Sequence, residues 1–244
     1  MTFFVLVTFY FFFFSLNPSR FVFFAAVKKF FATRYPYFPI IGLVLYVVMF
    51  AYTTTLYPGG SVNHPNMLGH SFFHNFLCDM NGKIAINGMA NPANAMSMLS
   101  HIVLSFTMIT FFYALPEIFD RKNTNTQLVR WFGVLTMSVF ILMFTTYHDL
   151  IVILTAILGT VALIPFFIEL LHYSNKPLKL WAYLCYIMSV IVFIIFVTKF
   201  GFYYLPFLQK ITFVLDAVWV VWVCLIVAEK FKCKRNRVSE VVQI

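Results

Sequence analysis

The sequence predicts an all-α fold, a polytopic bundle of membrane-crossing helices, on three observations. Of 244 residues, 62% are hydrophobic and only 10% charged, with a mean hydropathy of +0.89, whereas soluble domains carry roughly 25% charged residues. The apolar residues come in runs of spanning length, because a helix crossing a hydrocarbon core ~30 Å thick needs about 20 of them. The basic residues gather in every second connection, as they do where spans alternate in direction.

The elements follow in order. The N-terminal run "TFFVLVTFYFFFFSL" is as long as a short span, has no basic stretch ahead of it and no small-residue cleavage pattern after it; three readings stay open, a seventh span, a segment lying in the membrane interface, or upstream sequence translated from a misplaced start, and the span is the one favoured. With the basic linker behind it, it makes up residues 1–37. The bundle proper is expected over 38–229, with six spans near 38–57, 95–115, 129–147, 150–171, 180–199 and 209–229, each bounded by polar, Pro or charged residues. Residues 230–244, beginning "KFKCKRNR", form a basic tail.

Placing that tail in the cytoplasm puts Arg20, Lys28, Lys29, Arg34, Arg121, Lys122, Arg130, Lys176 and Lys179 on the same side. Of the 17 basic residues only Lys83, Lys199 and Lys210 are left outside. The positive-inside rule therefore orients the chain in the cell membrane with loop 58–94 exterior. The net charge of +9 reads as topology and attraction to anionic lipid, which excludes a nucleic-acid partner and makes the bilayer itself the first one.

The same orientation collects the unusual polar groups at the outer end. Loop 58–94 opens "YPGGSVNHPN" and closes "NGKIAINGMANPAN", with turn residues on both sides of "GHSFFHNFLCDMNG". On a helical projection Phe72, Phe73, Phe76 and Leu77 share one arc, and His70, Ser71, His74, Asn75, Cys78 and Asp79 fill the other. A short amphipathic helix at the outer surface is expected, its His face towards the bundle mouth. Ser97, His101 and Ser105 recur every four residues as a polar stripe on the second span. His148 and Asp149 come from the turn "TTYHDL". Asp216, about two turns inside the sixth span, is expensive there unless paired or wet.

Pocket candidates are thus His70, His74, Asn75, Cys78, Asp79, Ser97, His101, His148, Asp149 and Asp216. His70, His74 and His101 are the candidate ligands for zinc or another divalent metal, His70 and His74 having the spacing of ligands on one helix turn. Each has a plainer reading: solvated interfacial histidines, interhelical hydrogen bonds for His101 and its serines, an exposed turn for His148 and Asp149. Cysteine use offers no intrachain disulfide outside, since Cys78 stands alone there.

The run "HNFLCDMNG", with "NPANAMSMLSH" opening the next span, resembles the signature of the bacterial multi-pass domain-of-unknown-function family 998. That resemblance implies about six spans and an outer-loop motif falling on Asn75, Cys78, Asp79 and Gly82, with Asn81 departing from its compact ending. A looser likeness, of chemistry only, is to the alkaline ceramidases and progestin/adiponectin-type receptors, which hold zinc with three His beside a Ser and an Asp. This chain has no HxxxH in its last spans, so their placement is not reproduced.

Three functions fit these readings. One is an outward pocket that binds, transports or senses a lipid headgroup or small molecule. Another is a membrane-embedded hydrolase or lipid-modifying enzyme, with a His-held metal activating water beside Asp79 or Asp216. The third is an assembly partner whose polar cluster fixes helix packing.

Overall fold

Among the described residues six helices are long and apolar enough to cross a membrane, so the fold is that of an all-α, multi-pass membrane protein. The computed structural model describes residues 34–241, and the proposed N-terminal span lies outside them. The helices are α1 (Phe38–Leu56), α2 (Asn94–Ala114), α3 (Thr124–Phe140), α4 (His148–Leu171), α5 (Lys176–Thr198) and α6 (Leu205–Val241).

Local chemistry sets their ends. Helix α1 begins with Pro39 in its first turn and stops where Tyr57 turns extended ahead of Pro58. Helix α2 tightens into a 3₁₀ turn, Leu115–Ile118, at Pro116. Helix α3 starts at Thr124, earlier than the apolar run suggests, because Asn123 and Thr126 form a reciprocal cap: Thr126 N donates to Asn123 Oδ1 and Asn123 N to Thr126 Oγ1, each at 3.0 Å. Asn175 caps α5 by accepting from Leu178 N, and Lys199 ends it in the left-handed region at φ 61°. Helix α6 runs on through the basic tail, beyond the expected 229, because Glu, Lys and Arg continue a helix although they end its apolar stretch.

Sequential neighbours α1–α2, α2–α3, α3–α4 and α5–α6 pack side by side, and α6 returns against α1 and α2. Small residues allow the closest approaches. A Cβ on Gly42 of α1 would lie 2.0 Å from Thr107 Oγ1 of α2, and one on Gly133 of α3 would lie 2.2 Å from the Phe112 ring. Trp219 of α6 meets Phe111 of α2 and Phe166 of α4, both at 5.6 Å between ring centroids, which joins three helices in one aromatic core. Polar side chains on the apolar helices are silenced locally: Thr53, Ser105, Thr107 and Thr160 return their hydroxyls to the carbonyl four residues back.

The end that carries the basic tail is neutralised by specific pairs. Glu117 takes Arg130 at 2.6 Å and Lys122 at 2.8 Å, Glu169 accepts from Asn123 and Asn125, and Lys230 reaches Asp120 at 2.8 Å. Lys230 holds the exposed Asp120 carboxyl below the usual range.

The opposite end is covered by the 57–93 connection, and here one expectation is corrected. Residues 69–82 do not form an amphipathic helix; they run through successive turns with a single 3₁₀ turn at Asp79–Asn81. The reason is competition for the backbone. Asn75 Oδ1 takes the N–H of Ser71, Asp79 Oδ2 that of Phe76 and Gln209 Oε1 that of Leu77, three donors lying within the expected helical stretch. The aromatic side survives in another role: Phe73 packs on Phe207 and Phe76 on Phe202, around the start of α6.

Candidate functional site

The loop is a folded cap. Gly59 and Gly60, at φ 129° and 83°, let Gly60 N donate to Met67 O at 2.7 Å while Gly69 N returns to Pro58 O at 3.0 Å. Tyr57, buried at the head of this turn, donates from its hydroxyl to Gly60 O and accepts from Ile86 N, and burial raises its pKa. Asn91 binds the other strand of the loop through Met80 O and Gly82 O, at 2.9 and 2.7 Å. Met80, Ala85 and Ala93 complete a small core with Tyr57, joined to the main one through Phe50.

Asn75, 0% exposed, is the hub. Its Nδ2 donates to Gly60 O at 2.7 Å and to Asp79 Oδ2 at 2.9 Å, its Oδ1 accepts from Ser71 N, and its carbonyl accepts from Lys210 Nζ. One side chain thereby ties two turns of the loop together, and its backbone ties them to α6. Lys210, only 3% exposed, also donates to Pro206 O at 3.1 Å and lies over the Phe72 ring. Burial raises the Asp79 carboxyl; the hydrogen bonds from Asn75 and Phe76, and Lys210 within electrostatic reach, oppose that rise. Burial likewise pushes the Cys78 thiol up to about 12, so the sulfur is a protonated thiol at neutral pH.

Beneath this lies a second polar layer between the loop, α1 and α2. Ser97, 0% exposed, donates to Asn81 Oδ1 at 2.6 Å, and Asn94 Nδ2 donates to Asn81 O. His101 Nδ1 sits 2.9 Å from Ser97 O; a carbonyl only accepts, so Nδ1 carries the proton and Nε2 offers a lone pair. The ring of Tyr46 stands edge-on to His101 at 6.2 Å, and Tyr46 is within electrostatic reach of Cys78. Three buried polar atoms of this region have no partner: Tyr46 Oη, Asn81 Nδ2 and His70 Nε2. His70 is edge-on to Phe50 and Tyr57, and burial, with Lys210 adding to it, pushes its pKa down to about 4.

The structure gathers most of the sequence-predicted residues and disperses two. Asn75, Cys78 and Asp79 sit together, with Ser97 and His101 directly below and His70 at their side. His148, paired with Asp149 at 3.0 Å at the start of α4, is within electrostatic reach of Asp79 and His101. His74 turns away, its ring 4.4 Å from that of His64. The proposed ligand trio of His70, His74 and His101 therefore does not converge, because without the helix His70 and His74 share no face. No group of three or more His, Cys, Asp and Glu among the described residues is placed to hold a metal. Asp216, expected in the same pocket, faces the Cys185 thiol of α5 instead.

Lys210, Tyr46 and Asn81 were missed as site residues. Lys210 carried a usable signal: an ionisable residue just inside an apolar run has the same standing as Asp216, and counting it as an outer flank hid that. Tyr46 carried none, being one aromatic among many. No family model matches this chain, and no curated protein and no solved structure matches it either.

Proposed function

We propose that this protein sits in the cell membrane with its C-terminus cytoplasmic and loop 58–94 exterior, and that its loop end binds a small polar molecule or a lipid headgroup for transport or sensing. The observation that carries the reading is the unpartnered set of buried atoms Tyr46 Oη, Asn81 Nδ2 and His70 Nε2, with the ring of His101 packed edge-on against Tyr46. Each buried polar atom left unpaired costs about 1–3 kcal/mol, a penalty that a ligand with matching groups would remove. The groups are neutral donors and acceptors, so the chemistry that fits is hydroxyl- or amide-bearing, such as a polyol or a glycerol-type headgroup.

The cluster divides into two roles on this reading. Asn75, Asp79 and Lys210 spend their bonds on holding the loop to α6, and the partly satisfied layer below them meets the ligand. Of the residues that carry the resemblance to family 998, Asn75 and Asp79 belong to the anchoring part. The enzyme reading has less support, because the Cys78 thiol is protonated and the proposed metal ligands do not meet.

Mass spectrometry of lipids and small molecules retained by the detergent-purified protein tests the proposal. One hydroxyl- or amide-bearing species should copurify and be depleted from the Tyr46→Phe and Asn81→Leu variants. Retention of the same species at parental level by both variants would refute it.

A further inference from the structure

The loop also makes a recess of about 570 Å³ lined by Asn63, His64, Pro65, Asn66, Met67 and His74. Two imidazoles meet in it edge to face, with ring centroids 4.4 Å apart at 74°. His74 Nδ1 is buried and has no hydrogen-bond partner. Met67 is among the lining residues, and no carboxylate is.

The surrounding backbone is rigid enough to hold a ligand set. Ser61 N donates to His64 O and His64 N back to Ser61 O, at 3.1 and 3.2 Å, while Ser61 Oγ takes a further bond from His64 N. Met67 N donates to His64 O at 3.2 Å, so His64 and Met67 stand on one closed turn. Asn63 Nδ2 donates to Tyr203 O at 2.9 Å, and the Tyr203 ring is edge-on to both histidines.

We propose that His64, His74 and Met67 form a binding site for a soft monovalent metal ion, Cu(I), on the loop end of the protein. Donor chemistry selects the ion. Two imidazoles and a thioether suit Cu(I), whereas Mg(II) and Ca(II) require oxygen ligands and structural Zn(II) sites use four protein ligands. The unpartnered His74 nitrogen is then a coordinating lone pair, and the bound ion bridges the 61–67 turn to the segment that Asn75 anchors. The site is independent of the pocket of Tyr46 and Asn81, so either can fail without the other.

The test is titration of the full-length, detergent-purified protein with Cu(I) against a chromophoric Cu(I) chelator, and with Ag(I) as a redox-inert substitute. A Cys233→Ser background removes the exposed thiol. One equivalent should bind, with affinity falling roughly 100-fold in His64→Ala and in His74→Ala and about 10-fold in Met67→Leu. His148→Ala serves as a control that leaves affinity unchanged. X-ray absorption on the Cu(I) form should show two imidazoles and one sulfur, and the sulfur should vanish in Met67→Leu. Because the thermal stability of each variant is measured alongside, a misfolded variant is recognised, and Met67→Leu, which preserves volume, still decides the matter. No stoichiometric binding by the parent, or a sulfur signal that persists in Met67→Leu, overturns the proposal.

Discussion

Replacing Asn75 by Asp changes one atom and almost no volume, yet it strikes the hub of the cap. The Oδ1 acceptor for Ser71 N remains, whereas the Nδ2 donor to Gly60 O and Asp79 Oδ2 becomes an oxygen, placing two carboxylates where 2.9 Å now separates donor from acceptor. At that separation, and at an effective dielectric near 20, two ionised carboxylates repel by about 6 kcal/mol. Losing the bond to Gly60 O adds about 1 kcal/mol. One proton shared between the carboxylates removes the repulsion, so their first loss of a proton moves up in pH. The sign follows: the folded pair holds its proton more tightly than the unfolded chain, so stability lost at high pH returns on acidification. Thermal unfolding followed with a thiol-reactive dye, which reads the exposure of buried Cys224, should place Asn75→Asp close to the parent near pH 5 and well below it at pH 8. Asn75→Ala, which introduces no charge, should be destabilised about equally at both. If Asn75→Asp tracks Asn75→Ala across the pH range, Asn75 and Asp79 are not bonded as described.

Three further outcomes are expected. Gly42→Ala should destabilise the bundle by about 1–3 kcal/mol by overpacking against Thr107, and adding Thr107→Ala should recover much of the loss, which a double-mutant cycle in thermal stability measures. Burial holds His70 neutral at about 4 in the fold against an ordinary 6.5, so the parent should lose stability as pH falls from 6.5 towards 4. Discounted for the partial exposure of the ring, this amounts to about 1 kcal/mol by pH 5. His70→Phe should lack that component, and subtracting the two pH profiles cancels the opposite trend from Asp79. In a background without native cysteines, a membrane-impermeant maleimide added to intact cells should label Lys83→Cys and leave Arg121→Cys unmodified; the reverse pattern would invert the proposed orientation.

The bundle was legible in the sequence because apolar length and the positions of Lys and Arg are properties of the chain itself. The ends were less so: the start of α3 depends on the Asn123 and Thr126 cap, and the end of α6 on helix propensity within charged sequence, neither of which hydropathy detects. Composition singled out Asn75, Cys78 and Asp79 of the loop with Ser97 and His101 of α2, which lie at the same end of the bundle. The helical projection then failed because it assigns every N–H to its own helix, while here Asn75, Asp79 and Gln209 claim three of them. That failure explains why His74 leaves His70 and joins His64, a pairing ten residues apart that no periodicity contains. Lys210 and Tyr46 enter the site through contacts between α6, the loop and α1 that exist only after the helices have packed.

The most direct test of ligand binding at the loop end is an experimental density map of the purified protein in lipid nanodiscs, fine enough to place ordered water. The expected result is non-protein density larger than a water molecule, with polar atoms within about 3.2 Å of Tyr46 Oη and Asn81 Nδ2. Ordered water alone between those atoms, or Tyr46 and Asn81 hydrogen-bonded directly to protein, would contradict it.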